Sequence, residues 1–390
     1  MLINSSKNNN WILRNKTNFE LLKSYFIFKI ISLEKISNPL IIFAKFALKL
    51  HLPIKFIIKK TIYSQFCGGE NLDECNKTIE SLYKKDISTI LDYASENNNE
   101  ESRHYNCLEE VIKNIDFASE NKNIPFVVFK FSGIEKINIL EELSQQLIDI
   151  SSSKYKVLYK KIDKVCSYAS KKNIPIMIDA EESWIQPIID HLVEEMMIKY
   201  NKQETLIFNT IQLYRNDKLD YLKKTIEKFK EQNIKCGFKL VRGAYLEKES
   251  HNAFKNGNIS LINKTKEKTD EDFNNALKIC IDNLDSVSIC CATHNEKSTN
   301  LLIDLVKQNN ILNSDKRIYF SQLFGMSDNI TSILAENKFN VAKYLPYGPV
   351  KDLIPYLTRR AEENKSIKGQ MNRELVQLKK EISFRKIFQL

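Results

Sequence analysis

Glycine is scarce in this chain, with 9 residues in 390. Neither G-x-G-x-x-G nor G-x-x-x-x-G-K-[ST] occurs, which excludes a dinucleotide held by the common glycine-rich turn. Eight cysteines are scattered along the chain (Cys67, Cys75, Cys107, Cys166, Cys236, Cys280, Cys290 and Cys291), with no C-x-x-C pair. That pattern predicts buried, unbridged thiols in a reducing compartment. Cys290 and Cys291 adjoin in Val-Ser-Ile-Cys-Cys, and neighbouring strand residues point to opposite faces. Five histidines show no metal-ligand spacing, so no metal site is expected. No apolar run reaches the roughly 18 residues of a membrane span. The polar N-terminus lacks the pattern of a secretory leader. No nucleic-acid motif accompanies the basic charge, and no nucleic-acid partner is expected.

What is present is a globular composition, 43% hydrophobic and 28% charged, long enough for one large α/β domain with an appendage, or for two domains. The net charge of +10 lies in the ends: residues 1–60 carry 11 Lys and Arg against 2 Asp and Glu, and residues 365–390 carry 7 against 2. Basic ends around a slightly acidic middle suit an anionic surface. Ile27 to Ile58 is rich in Ile, Leu and Phe and is interrupted by Lys29, Lys35, Lys45, Lys49 and Lys55. This basic amphipathic pattern fits a membrane surface, or equally a helical arm docked on its own body.

Residues 1–122 read as a helical arm, 123–364 as a barrel and 365–390 as a basic tail. From Ile124 onward, short apolar runs alternate with amphipathic helical stretches. The expected strands are Phe126–Phe131, Ile174–Asp179, Thr205–Gln212, Gly237–Arg242, Val287–Ala292, Ile318–Leu323 and Val341–Leu345. Continuous apolar strands separated by helices predict a buried parallel sheet. Seven such units and an eighth helix after Gly348 point to an α/β fold of the (β/α)8 or TIM-barrel type, with an open doubly wound sheet as the alternative.

Each expected strand ends on a polar residue: Lys130, Asp179 with Glu181, Gln212, Arg242, His294, Gln322 and Tyr344. In a barrel these strand ends converge on one mouth. Lys130, in apolar surroundings, could be a Schiff-base nucleophile, a fixed charge or a snorkelling side chain. Asp179 and Glu181 could do acid–base work or orient neighbouring cations. After the Pro346-Tyr-Gly-Pro349 turn, Tyr356, Arg359, Arg360 and Glu363 share one helical face. Two guanidinium groups beside an aromatic ring suit a carboxylate clamp; the simpler reading is a solvated pair with an Arg359–Glu363 bridge.

That helix belongs to an ordered set of motifs. Phe66-Cys-Gly-Gly-Glu70, Ile90-Leu-Asp-Tyr93, Ile178-Asp-Ala-Glu-Glu182, Lys239-Leu-Val-Arg-Gly-Ala-Tyr245, Ala292-Thr-His-Asn295 and Gln322-Leu-Phe-Gly-Met326 precede Tyr344 to Asn364. The set, spanning about Leu50 to Asn364, closely resembles the proline dehydrogenases, flavoenzymes that oxidise L-proline. The resemblance implies a distorted (β/α)8 barrel with its last helix over the mouth, FAD as cofactor, and Δ1-pyrroline-5-carboxylate as product. It implies that Lys130, Asp179, Tyr344, Tyr356, Arg359 and Arg360 form the catalytic set. Lys130, Arg359 and Arg360 would bind the substrate carboxylate. Leu323, Tyr344 and Tyr356 would enclose the ring, with Ala244 and Tyr245 beside it. Gln212, Lys239, Val241, Gly243 and Ala244 would meet the flavin, and Thr265, Lys266, Thr293, His294, Asn295 and Glu363 would hold the rest of the cofactor. A tyrosine at 344 would crowd a ring hydroxyl, which favours proline over hydroxyproline. A membrane quinone would take the electrons, giving the basic ends a purpose. The expected location is cytoplasmic and peripheral, on the inner face of a bacterial membrane. The length leaves no room for the aldehyde dehydrogenase module fused in some relatives, so a separate pyrroline-5-carboxylate dehydrogenase is expected downstream.

Overall fold

Eight short runs rich in β-branched, aliphatic and aromatic residues form strands β1 (Ser88–Tyr93), β2 (Phe126–Phe129), β3 (Ile176–Ile178), β4 (Ile207–Gln212), β5 (Cys236–Val241), β6 (Val287–Ala292), β7 (Ile318–Leu323) and β8 (Val341–Tyr347). All neighbours pair in parallel and in sequence order, and β8 returns to β1 along six residue pairs, from Ser88–Ala342 to Tyr93–Tyr347. The result is a closed (β/α)8 barrel. The computed structural model describes residues 3, 11–33, 39–40, 42–43, 47, 53–94, 101–145, 148–257, 260–366 and 370–387, excepting the side chains of 11, 361–366 and 370–372.

The longer helices are α1 (Asn18–Ser32), α2 (Leu72–Tyr83), α3 (Glu101–Ser119), α4 (Ile137–Gln145), α5 (Ser153–Lys172), α6 (Gln186–Tyr200), α7 (Lys218–Glu231), α8 (Leu246–Asn256), α9 (Lys266–Asp282), α10 (Glu296–Gln308), α11 (Asp328–Glu336), α12 (Ile354–Ser366) and α13 (Gln370–Phe384).

Strand alternation divides the apolar residues into layers. Ile90, Phe126, Val128, Met177, Phe208, Cys290 and Tyr344 fill the barrel interior, while Leu91, Val127, Ile178 and Cys291 pack outward against helices. Cys290 and Cys291 thus face opposite sides, and all eight cysteines are buried and free. A third cluster caps the barrel. It joins Leu21, Tyr25, Phe28 and Ile31 of α1 to Val350, Leu353, Tyr356 and Leu357 around α12, and to Leu378 and Ile382 of α13.

Seven of the strands coincide with runs expected from sequence. The eighth, β1, lies inside the stretch read as a helical arm. Its Ser88, Thr89 and Asp92 dilute the apolar run, so the strand signal is weak until β2 and β8 pair with it. The open-sheet alternative is removed by the β1–β8 ladder.

The basic ends fold onto the body and onto each other. α1 starts with a capping box in which Thr17 and Glu20 bond reciprocally. Its Ile27, Phe28 and Ile31 are buried, so this part of the amphipathic stretch docks on its own chain. From the loop after α13, Arg385 donates to the carbonyls of Leu13, Arg14 and Lys16. Lys35, Lys45 and Lys49 lie outside the described residues. Among the described residues no helix is long and apolar enough to cross a membrane.

Candidate active site

Parallel strands in a closed barrel deliver every second side chain to the interior and the last ones to the C-terminal mouth. The mouth gathers charge from four strands and the turns that follow them. Lys239 from β5 donates to Asp179 Oδ1 at 2.6 Å, and the Tyr344 hydroxyl from β8 donates to Asp179 Oδ2 at 2.8 Å. Lys130, just beyond β2, holds its Nζ 3.9 Å from Asp179 and 3.6 Å from Asp92 of β1. The Lys239 ammonium also sits over the Tyr344 ring, 4.5 Å from its centroid. All of these groups are buried. Asp179, expected to position Lys130 or Arg359, makes its direct cationic bond to Lys239, with Lys130 at 3.9 Å.

Burial alone would push the Asp179 carboxyl up, but Lys239 and Lys130 and the bonds from Lys239 and Tyr344 hold it below the usual carboxylate range. Tyr344 moves the other way: burial and the neighbouring Asp179 and Asp92 push its phenol well up, so it remains a donor. Glu181 does not join this set. It accepts from the backbone N–H and hydroxyl of Ser132, and burial together with Glu182 pushes it up to about 8. Burial raises the Cys290 thiol to about 12, which argues against thiolate chemistry there.

α12 crosses the same mouth. Its Tyr356 packs in the capping cluster with Ala94, Met326 and Val350, which follow the C-terminal ends of β1, β7 and β8. Leu323, at the end of β7, touches both this cap and the interior cluster. Arg359 and Arg360 are 9% and 4% exposed, so the solvated-pair reading is removed. Arg360 lies against the Tyr356 ring at 4.7 Å, and Arg359 lies 5.6 Å from the ring of Tyr245. The Glu363 side chain lies outside the described residues, and with it the Arg359–Glu363 bridge.

Beside Lys239 the strand end opens: Val241 and Gly243 are half-buried and Ala244 is exposed. Gly243 has φ +141°, and a Cβ there would meet the Tyr214 ring at 2.4 Å, so only glycine fits this bend. Gln212 donates its amide N–H to the Glu181 carbonyl at 2.7 Å, while its buried Oε1 has no hydrogen-bond partner. A buried orphan acceptor is the feature a ligand N–H would satisfy.

Farther along the rim, Thr265 caps α9 and Asn295 caps α10 through their side chains. Exposed Lys266 pairs with Asp270. Arg242 ties these parts together, bonding Asp270, Thr293 and Ser298. His294 shares a 2.8 Å hydrogen bond with Ser327, and burial with Lys343 and Arg360 pushes its imidazole down, which keeps it neutral.

The structure therefore brings Lys130, Asp179, Lys239 and Tyr344 into one contact network. It sets Tyr245, Leu323, Tyr356, Arg359 and Arg360 at the same mouth, and spreads Thr265, Lys266, Thr293, His294 and Asn295 along a rim linked by Arg242. Sequence reasoning assigned no role to Asp92, although it is a polar residue ending an apolar run like the other strand ends. Among the described residues, no cluster of three or more His, Cys, Asp or Glu could hold a metal.

The family model described as Proline dehydrogenase matches residues 75–373. Proline dehydrogenase 1, mitochondrial, of Dictyostelium discoideum is 31% identical over 418 aligned residues, covering 95% of this chain and 73% of that protein. The carbapenem antibiotics biosynthesis protein CarD of Pectobacterium carotovorum subsp. carotovorum is 33% identical over 323 residues, covering 82% of this chain and 84% of that protein. Among solved structures, proline utilization A from Bdellovibrio bacteriovorus inactivated by N-propargylglycine superimposes with a TM-score of 0.73 at 17% identity, over 93% of this chain. Proline utilization A of Bradyrhizobium japonicum superimposes with a TM-score of 0.64 at 16% identity. This chain spans 40% and 31% of those two chains, and at such identities the likeness concerns the barrel fold.

Proposed function

This chain belongs to the proline dehydrogenase family, oxidoreductases of the first step of proline catabolism, and from that premise we propose how its residues divide the work. Arg359, Arg360 and Lys130 hold the carboxylate of L-proline. Tyr344, Tyr356, Leu323 and Tyr245, with Ala244, enclose the pyrrolidine ring and exclude water from it. Fixing the carboxylate places C5 of the ring at one position, so binding energy spent far from C5 sets the geometry of transfer. Asp179 orients Lys239 and Tyr344. No side chain is required as a base, and the substrate amine loses its proton to solvent.

FAD, when bound, supplies a hydride acceptor for C5, and the product is Δ1-pyrroline-5-carboxylate. The residues present suit that group. The orphan Gln212 Oε1 can accept a ring N–H, and the Lys239 ammonium can offset negative charge. The open strand end at Val241, Gly243 and Ala244 leaves room for a planar ring. Thr265, Lys266, Thr293, His294, Asn295 and Glu363 would hold the remainder, with Arg242 keeping their elements in register.

The observation that supports this reading is the buried network of Lys130, Asp179, Lys239 and Tyr344 at the mouth crossed by the double-arginine helix. It also weakens the Schiff-base reading of Lys130, whose ammonium lies 3.6 Å from Asp92 and 3.9 Å from Asp179. Electrons would pass to a membrane quinone, and a separate pyrroline-5-carboxylate dehydrogenase would take the product. The membrane contact would come from the basic outer face of the arm, where Phe19, Phe26, Ile30 and Leu33 are exposed.

An anaerobic absorbance spectrum before and after L-proline tests the proposal. A flavin band near ~450 nm that bleaches with proline is expected. A band that persists would move the substrate to hydroxyproline or another cyclic amine. Absence of flavin, even after FAD is added, would overturn the assignment.

A further inference from the structure

A surface helix ordinarily docks by burying an apolar stripe. α8 does not. Of its 11 residues only Glu249 is buried, while Leu246 and Phe254 are 38% and 89% exposed. Both oxygens of that carboxylate are engaged. Glu249 accepts from the Ser183 N–H at 2.6 Å and from the Ser183 hydroxyl at 2.7 Å. The adjacent Lys248 pairs with Glu182. α8 is therefore fastened mainly by polar bonds to residues 182 and 183, in the turn that follows β3.

Its route explains why this fastening matters. The helix leaves from the end of β5 and is tied to the turn after β3, and β4 stands between those two strands in the barrel. α8 thus bridges the rim past the C-terminal end of β4, where Gln212 carries its partnerless Oε1. Gln212 also donates to the Glu181 carbonyl of that same turn. Glycines with positive φ bound the segment, Gly243 at +141° before it and Gly257 at +63° after it, and backbone rotation is least costly at such residues. An element with so little apolar contact belongs to the least stable part of a fold, the part from which lids are drawn.

We propose that α8 is a lid over the flavin end of the site, latched by Glu249 to Ser183, which opens to admit the cofactor and closes to retain it. This rests on the flavin position read above from Gln212, Lys239 and Gly243. A latch that must open for both entry and exit sets both rates. Weakening it speeds association and release together and leaves affinity little changed, whereas general damage to the site speeds release alone.

The test mixes full-length apoprotein with FAD in a stopped-flow fluorimeter, follows release after dilution, and reads hydrogen exchange along the chain. Glu249→Ala is expected to raise both rates about tenfold and to change Kd by less than about threefold. It should also speed exchange in residues 246–256 but not in β5. Glu249→Gln still accepts the Ser183 N–H and donates to its hydroxyl, so both rates should return close to those of the wild type. Ser183→Ala removes one of the two bonds from the other side and should give a smaller effect of the same sign. Faster release with association unchanged, or rates that do not move, overturns the lid. So does wild-type protein in which the amides of α8 exchange no faster than those of β5, a measurement that stands even where Glu249→Ala does not fold. Flavin that binds but is not bleached by L-proline would sink the proposed substrate and leave the rates readable. Wild-type apoprotein that takes up no flavin would sink the proposed function and the lid with it.

Discussion

Arg359 and Arg360 stand i and i+1 on α12, yet both are buried and each lies against a different tyrosine ring. A charge-assisted contact to a carboxylate is worth roughly 1.5–3 kcal/mol. Arg359→Ala and Arg360→Ala should each raise KM for L-proline by about tenfold to a hundredfold, with kcat reduced less; an unchanged KM in steady-state kinetics would remove that arginine from the clamp. Glu181 gives a pH prediction of a particular sign. Its folded carboxyl is raised to about 8, so the folded chain keeps a proton that the unfolded chain releases near its ordinary ~4.3. Its contribution to stability is thus present below that ordinary value and is lost as pH rises towards 8. Glu181→Gln keeps an acceptor for the Ser132 N–H and cannot ionise. The thermal midpoint of Glu181→Gln minus that of the wild type should therefore grow from pH 5 to pH 8. A flat difference would mean that Glu181 ionises normally in the folded state.

Elements matter here through how they are pinned. The Cys67-Gly68-Gly69 turn is laced to the end of β8: Gly68 N–H donates to the Pro346 carbonyl at 2.9 Å and Gly348 N–H donates to the Gly69 carbonyl at 3.0 Å. Tyr63 adds a bond to the Gly348 carbonyl at 2.8 Å. This lacing sets where β8 stops and α12 begins, and hence where the arginines fall. A Cβ on Gly68 would meet Leu345 Cγ at 2.8 Å and Cys75 Sγ at 2.9 Å. Gly68→Ala should lower stability by roughly 1–3 kcal/mol and raise KM for proline as well, which urea unfolding and kinetics can check together. Arg385 bonds three backbone carbonyls ahead of α1. Arg385→Ala should cost about 2 kcal/mol; an unchanged unfolding midpoint would show that the two ends are held by apolar contact alone. Helix and strand types were largely legible in the sequence because apolar periods of 3.6 and 2 are local. The exception was β1, whose six residues become a strand through the pairing of β2 and β8.

On the scale of the whole molecule, α1, α12 and α13 build a cap over the barrel mouth with its own apolar core. The outer side of α1 still exposes Phe19, Phe26, Ile30 and Leu33 beside Lys23 and Lys29. The proposed membrane contact would use this surface, through apolar insertion and screened charge. The double variant Phe26→Ser, Ile30→Ser should lose sedimentation with anionic vesicles and keep turnover with a soluble dye acceptor. Vesicle binding equal to that of the wild type would place the membrane contact elsewhere or nowhere.

Composition and periodicity were enough for a parallel α/β fold with a (β/α)8 barrel ahead of an open sheet, and the ordered motifs for its family and the side chains at its strand ends, because a strand's last inward residue in such a barrel must reach the mouth. Which of those side chains touch is a matter of register and shear, which depend on closure of β1 against β8 and have no local signature. So Lys239 and Tyr344 could be named as separate candidates, but their common attachment to Asp179 appears only in three dimensions. The same holds for Asp92, which reads as one polar residue in a weak strand and comes within 3.6 Å of the Lys130 ammonium once two strands align. The fate of the basic ends was also decided by tertiary structure. An amphipathic helix buries its apolar stripe against whichever surface is nearest, and here α1 and α13 offer that surface to each other.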